Sequence, residues 1–495
     1  MAKRSGSPLI VRGLVFANVI TLGACGSVSA VADLPAQDLA APATPDLVTT
    51  NLPTPDLATP DLVTANVPAP DLATPDLVTA NLPTPDLAGP DLTTPVDQVA
   101  ADLTAPTCAD GVKNGTETGV DCGGASCPRC VAGQGCGKGS DCVSGVCIST
   151  CRALNLSFAS PMTFGAGPGP IEIAAADFNG DKAIDLIVSD YDSTTVTALI
   201  NNGNGTSFTP FMTDVKSNPF GIGTGDFDGD GMMDAVVVVL SAAKLIYLHG
   251  NGTGNFTAID VATVASAHDL AVADVNLDGH LDVLLGAGPS GLHIFLGDGT
   301  GGFKDHAIAS ETGQFPAVAD INRDGKPDIV IGDQPITLYL GDGMGSFANT
   351  ANYSAAATTY LAGTADFNLD KAPDVAAAVY GGSKFSVWLN SKTGGLVARN
   401  DYPASVDIVR AAIGDFNVDG WPDLVGAGWG GTLLGVALNK ADGSGTMALP
   451  TTFAMCSGAG HSQPVAADFN GDGKTDLAVT CYGNASVMVR LNTSN

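Results

Sequence analysis

Asp226-Phe227-Asp228-Gly229-Asp230-Gly231-Met232-Met233-Asp234 occurs seven times in variant form, and the residues between the copies repeat with it. The copies begin at Asp177, Asp226, Asp274, Asp320, Asp366, Asp415 and Asp468, in steps of 49, 48, 46, 46, 49 and 53 residues. A fixed period of this size marks a repeat architecture. Oxygen side chains stand at positions 1, 3, 5 and 9 of each copy. They are Asp177, Asn179, Asp181 and Asp185; Asp226, Asp228, Asp230 and Asp234; Asp274, Asn276, Asp278 and Asp282; Asp320, Asn322, Asp324 and Asp328; Asp366, Asn368, Asp370 and Asp374; Asp415, Asn417, Asp419 and Asp423; Asp468, Asn470, Asp472 and Asp476.

That spacing suits Ca²⁺, a hard cation that takes six to eight oxygens at about 2.3–2.6 Å, here from alternate side chains and the carbonyl of position 7. Gly at position 6 permits the sharp turn. The same residues also make ordinary Asx turns that need no ion. Seven copies with every carboxylate in phase favour up to seven structural Ca²⁺ ions. The bidentate Glu of a helix-loop-helix site is missing. Asp at position 9 takes its place, directly before a β-rich run such as Asp234-Ala235-Val236-Val237-Val238-Val239, which sets each loop in a hairpin.

Charge supports this expectation. The chain of 495 residues carries a formal charge of −30 although only 15% of its residues are charged. Residues 153–495 hold 36 acidic and 14 basic side chains, a net of −22, and the seven loops contain 22 carboxylates. Seven Ca²⁺ ions would leave −8. No basic face exists to displace phosphate counterions, which argues against nucleic acid as a partner.

Ahead of the repeats lie three segments. In residues 1–24, Lys3, Arg4 and Arg12 precede the apolar run Leu14 to Leu22, the pattern of an export signal and too short to span a bilayer. Leu22-Gly23-Ala24-Cys25 resembles the bacterial lipobox, which implies lipidation of Cys25; Gly26 after it is similar to lipoproteins sent to the outer membrane. The alternative is cleavage after Val28-Ser29-Ala30 and free secretion. Residues 25–106 form a stalk, with Pro-Asp-Leu starting at 45, 55, 60, 70, 75, 85 and 90 and 11 Asp but no basic residue between 33 and 106. Frequent Pro blocks helix and sheet and like charges extend the chain, giving a reach of roughly 230 Å. Residues 107–152 hold Cys108, Cys122, Cys127, Cys130, Cys136, Cys142, Cys147 and Cys151. In an exported segment with little apolar material these read as four disulfides. Their pairing stays open among 105 possibilities.

From residue 153 each period contains four short strands. One of small residues enters the acidic loop (Leu270-Ala271-Val272-Ala273-Asp274), a β-branched strand follows, a third enters a Gly-rich turn, and a fourth begins near Phe208, Phe256, Phe303, Phe347 or Leu396. Four strands per period describe one propeller blade. The expected fold is therefore all-β, a seven-bladed propeller over 153–495. Its last blade lacks a fourth strand, which Leu156-Ser157-Phe158 supplies, closing the ring without an open edge. Cys456 and Cys481 fall on one face of that blade and are expected to pair.

These loops resemble the FG-GAP/VCBS repeat family, the architecture of the integrin α-subunit propeller and of several bacterial surface proteins and lectins. The resemblance implies Ca²⁺ on the loop face and partner binding on the opposite one. Two copies depart from the pattern, with Lys182 and Lys371 at position 6. A left-handed Lys costs about 1 kcal/mol, so these should be the weakest sites. On the opposite face the strand order places Tyr191, Tyr380, Trp429 and Tyr482 in turns, and Phe220, His268, Phe315 and Tyr360 at crossovers between blades. Aromatic rings there can stack on sugars or grip a cationic side chain, or simply fill gaps between blades. No His pairs with Ser or Cys in a nucleophile motif. The expected function is non-enzymatic, a Ca²⁺-stabilised adhesion or ligand-binding head at the cell surface, with an extracellular protein or glycan as partner and the membrane reached through the lipid anchor. The alternatives are a lectin and a polysaccharide-active enzyme, a glycan lyase or hydrolase.

Overall fold

The computed structural model describes residues 155–494, except 289–290, 309–313 and 457–461, together with scattered positions between 113 and 142. The export signal, Cys25, the stalk, Cys108, Cys147 and Cys151 lie outside the described residues. Seven four-stranded antiparallel sheets form the head. Blade 1 consists of Pro170–Ala176, Asp185–Asp190, Thr195–Asn201 and Phe208–Asp214, hydrogen-bonded in that order. Blades 2 to 6 repeat it from Pro219, Asp269, Gln314, Thr359 and Arg410. There is no α-helix among the described residues.

Blade 7 takes three strands from the C-terminus, Pro464–Ala467, Asp476–Cys481 and Ser486–Arg490, and its fourth from the N-terminal side of the head, Met162–Gly165. The closing strand is thus real but lies mostly beyond the expected Leu156 to Phe158. Continuous pairing runs from Met162 opposite Val489 to Gly165 opposite Ser486, and Phe158 makes only an isolated bridge to Asn492. Pro161, between the two, has no N–H to give a ladder. The Arg490 guanidinium ties this junction by donating to the carbonyls of Ala159 and Ala454. Blade 6 has a similar interruption, with Met447 bridging Asn439 ahead of Thr451–Ala454.

Packing runs from blade to blade. Ile173, Leu186, Val188 and Leu199 of blade 1 form one buried cluster with Val465, Ala478, Val487 and Val489 of blade 7, so closure buries apolar surface as well as pairing an edge. Position 2 of every acidic loop (Phe178, Phe227, Val275, Ile321, Phe367, Phe416 and Phe469) is buried. In four blades an Asn at the end of the third strand, or two residues past it, reaches back to the preceding blade. Asn201, Asn390, Asn439 and Asn492 donate Nδ2 to the carbonyls of Phe469, Ile321, Phe367 and Phe416, at 2.7–2.8 Å. The Cys456–Cys481 disulfide is formed in blade 7, with Cα atoms 5.9 Å apart. In the Cys-rich segment Cys122 pairs with Cys130, and Cys127, Cys136 and Cys142 are also disulfide-bonded.

Candidate functional site

Each acidic loop joins the first strand of a blade to the second, so all seven lie on one face. The position-1 carboxylate folds the turn: its Oδ2 accepts the N–H of position 6 at 2.6–3.0 Å in every copy. Position 5 accepts the N–H of position 7 at 2.8–3.0 Å. Position 9 lies beneath, fully buried in all seven. Its Oδ2 accepts the N–H of position 2, as Phe178 gives to Asp185 at 2.8 Å, and its Oδ1 accepts the N–H ending the third strand, as Asn201 gives at 2.7 Å. The same pair of bonds recurs at Asp374 and Asp476. This Asp therefore pins three strands together whether or not an ion lies above it.

Burial raises the position-9 carboxyls, Asp185 to about 7 and Asp282, Asp374 and Asp476 to about 6, with backbone N–H groups opposing and the position-1 and position-5 carboxylates adding to the rise. A cation among the loops would reverse that contribution from the neighbours. The donor set fits such an ion. It is all oxygen, as a hard cation requires. In the second loop, carboxylate oxygens of Asp226, Asp228 and Asp230 lie within 4.8 Å of one another. In three of the loops with Asn at position 3, its amide donates to position 5, as Asn179 Nδ2 does to Asp181 at 2.9 Å.

Lys182 and Lys371 adopt the left-handed backbone expected at position 6, with φ of 73° and 69°. Position 4 is left-handed too. Gly occupies it in three copies, but Leu277, Arg323, Leu369 and Val418 hold it in the others, at φ of 51–62°. Strain of this kind costs about 1–2 kcal/mol per residue and persists where surrounding structure enforces it.

The turns between second and third strands lie on the opposite face, as the strand order requires. Trp429 and Tyr380 are exposed there, at 50% and 44%. Tyr191, Tyr482 and His268 are half-buried. Phe220, Phe315 and Tyr360 are buried and pack on neighbours, Phe315 against Tyr360 with ring centroids 4.3 Å apart and Phe220 against Tyr191 at 5.6 Å. Those three rings are closed to a ligand and fill space between blades.

Beside them lies a group that the repeat pattern conceals. Glu172, Asp269, Arg410 and Gln463 each stand five residues before the first Asp of their loops, at one level of the innermost strands, and all four are buried. Arg410 Nη2 donates to Glu172 Oε1, and the guanidinium carbon lies 5.9 Å from the Tyr360 ring centroid. Burial pushes the Glu172 carboxyl up to about 8 against the pull of Arg410, and pushes Asp269 well above the carboxylate range. Toward the loop face the axis opens into a cavity of about 360 Å³, walled by small apolar residues such as Ala362, Gly363, Ala412, Val465 and Ala466, with Gln463 also lining it. Aligning the first strands on their loop Asp was the signal that could have found these residues.

The FG-GAP-like repeat model matches residues 177–237, 274–331, 320–376, 366–426 and 415–479, more than half the chain, and the chain belongs to that family. No curated protein matches it. Among solved structures, an Agrocybe aegerita lectin described as recognising non-reducing terminal N-acetylglucosamine is 17% identical, with 68% of this chain and all of the lectin covered and a TM-score of 0.43. BBS1N, solved in complex with ARL6DN, is 12% identical over 68% of this chain and 97% of its own, with a TM-score of 0.49.

Proposed function

We propose that this chain is a Ca²⁺-stabilised, non-enzymatic adhesion or ligand-binding propeller, exported and carried at the cell surface on lipidated Cys25 and an acidic Pro-rich stalk. The observation that carries the reading is the seven-fold ring of all-oxygen loops, four of them with a non-Gly residue left-handed at position 4. Side-chain oxygens at positions 1, 3 and 5, with the position-7 carbonyl and the buried Asp of position 9, would hold each ion. The ion would neutralise carboxylates that otherwise repel one another. Binding to the native state alone adds about 2.7 kcal/mol per site at 100 times Kd. Chelator should therefore lower the thermal midpoint of the head, and added Ca²⁺ should restore it; an identical transition in both conditions overturns the reading.

A second reading, a lectin, is favoured by the exposed rings of Trp429 and Tyr380 on the face away from the loops. Stacking on a sugar face needs an accessible indole or phenol. Glycan-array binding that disappears in Trp429→Ala without loss of thermal stability supports it, whereas binding untouched by that substitution removes it.

A further inference from the structure

Blade 2 departs from the other six at three positions that meet in space, one in its acidic loop and two on its third strand. Position 3 is Asp228 where every other copy has Asn. The next-to-last residue of the third strand is His249, and the equivalent positions of the other blades are Ile200, Leu296, Leu340, Leu389, Leu438 and Leu491. Two residues earlier stands Tyr247, aliphatic in the other six blades. None of these changes is needed to build a blade, since six blades form without them.

Together they make a mixed nitrogen and oxygen donor set. His249 Nδ1 lies 3.0 Å from Asp228 Oδ2 and 3.6 Å from Asp234 Oδ1, and one donor atom from each residue falls within 4.8 Å of the others. Tetrahedral bonds of 2.0–2.1 Å hold ligand atoms about 3.3 Å apart, so these separations need little adjustment. The Tyr247 hydroxyl lies 2.9 Å from Asp234 Oδ2, 3.2 Å from Asp228 Oδ2 and 3.3 Å from His249 Nδ1, so with the metal on that nitrogen its one proton serves a ligating carboxylate as an outer partner. His249 is 37% exposed at its side chain and Asp228 18%, which leaves an entry path and room for water as a fourth ligand.

We propose that the second loop is a site for a divalent transition metal of the zinc class, held by Asp228, Asp234 and His249 Nδ1, where the other six loops are built for a hard cation. Imidazole suits Zn²⁺ and its neighbours, while Ca²⁺ takes oxygen. Asp228 also belongs to the oxygen group of Asp226 and Asp230, so one ion occupies the loop and His249 decides which. The inference rests on the reading of these loops as ion sites and changes the ion at one of them.

The test is calorimetric titration of the full-length, disulfide-intact protein after chelator treatment, first with Ca²⁺ alone and then with Zn²⁺ in excess Ca²⁺. The wild type should take up one equivalent of Zn²⁺ that Ca²⁺ does not displace. His249→Leu restores the residue of five sister blades and should weaken that uptake by roughly 100-fold or more, beyond the loss of an outer partner, while Ca²⁺ uptake at the other loops stays the same. Asp228→Asn, also a sister residue, should weaken Zn²⁺ binding too, with far-UV circular dichroism unchanged. Ca²⁺ binding without the Zn²⁺ equivalent, or Zn²⁺ uptake undiminished in His249→Leu, overturns the inference and leaves the Ca²⁺ reading standing. Zn²⁺ uptake that depends on His249 in a protein that ignores Ca²⁺ overturns the Ca²⁺ reading and upholds this one.

Discussion

At the loop face 22 carboxylates stand in seven turns, while at the other end of the same innermost strands Glu172 and Asp269 share a single guanidinium, Arg410. The loop carboxylates at positions 1, 3 and 5 border solvent, so water and ions can answer their charge from outside. In that throat Glu172, Asp269 and Arg410 are fully buried, and their charges must balance among themselves. Identical residue types are thus governed by counterions at one end of a strand and by pairing at the other.

The largest expected effect comes from breaking the throat. Arg410→Met leaves two buried carboxylates without their cation, and removing one partner of a buried pair costs about 3–5 kcal/mol. Urea unfolding in chelator and in Ca²⁺ should show a similar loss in both, because the throat lies away from the loops. The loss should grow as pH rises above about 8, because below that Glu172 is protonated even beside Arg410 and above it the carboxylate needs the guanidinium. Glu172→Gln in the same chain should recover part of it. A loss confined to the Ca²⁺-free protein would mean that the two ends are coupled and not governed separately.

The head could be read from the sequence because period and phase survive in every copy: seven loops give seven sheets, and small residues before each loop mark the axis. Finer details were lost where the local cue is not unique. Met447, in place of the usual Phe, makes only an isolated bridge ahead of the fourth strand of blade 6, and Pro161 displaces the closing ladder to Met162–Gly165. The throat was hidden for another reason. Glu172 and Arg410 are 238 residues apart and meet only when the ring closes. Each is one odd residue on a strand of Ala, Ile and Gly, with no local pattern to mark it. Left-handed Leu277, Leu369 and Val418 were equally hidden, because their residue types argue against that backbone.

A smaller effect is expected at a buried carboxyl on the face away from the loops. Asp190 ends the second strand of blade 1, fully buried; the Thr195 and Thr197 hydroxyls donate to its Oδ2 at 2.9 and 2.6 Å, while Oδ1 has no hydrogen-bond partner. Burial lifts its carboxyl to about 6 against those hydrogen bonds. A folded value above the unfolded one means that the group contributes stability below about pH 4, which is lost as pH rises through 6. Asp190→Asn keeps an acceptor and removes the titration. Its stability relative to wild type should climb from near zero at pH 4 to a gain of about 1–3 kcal/mol at pH 7. Denaturant midpoints across that range decide it, and a constant difference would place Asp190 in contact with water.

The smallest effect belongs to the loops. Lys182 and Lys371 hold a left-handed backbone where the other five copies place Gly, and neither makes an ion pair with its own loop's carboxylates that would offset the strain. Releasing about 1–2 kcal/mol of strain while adding the unfolded-state freedom of Gly, worth about 0.5–1 kcal/mol, leaves a net gain near 0.5–1 kcal/mol for Lys182→Gly or Lys371→Gly. If an ion enforces the turn, the gain should be larger in Ca²⁺ than in chelator, because Gly relaxes the very conformation that binding requires. Equal gains in both conditions would show that the position-1 carboxylate, through its bond to the position-6 N–H at 2.6–2.8 Å in these two copies, sets the turn without help. The loops would then be self-sufficient, as the throat is, and the division between an end governed by ions and an end governed by pairing would vanish.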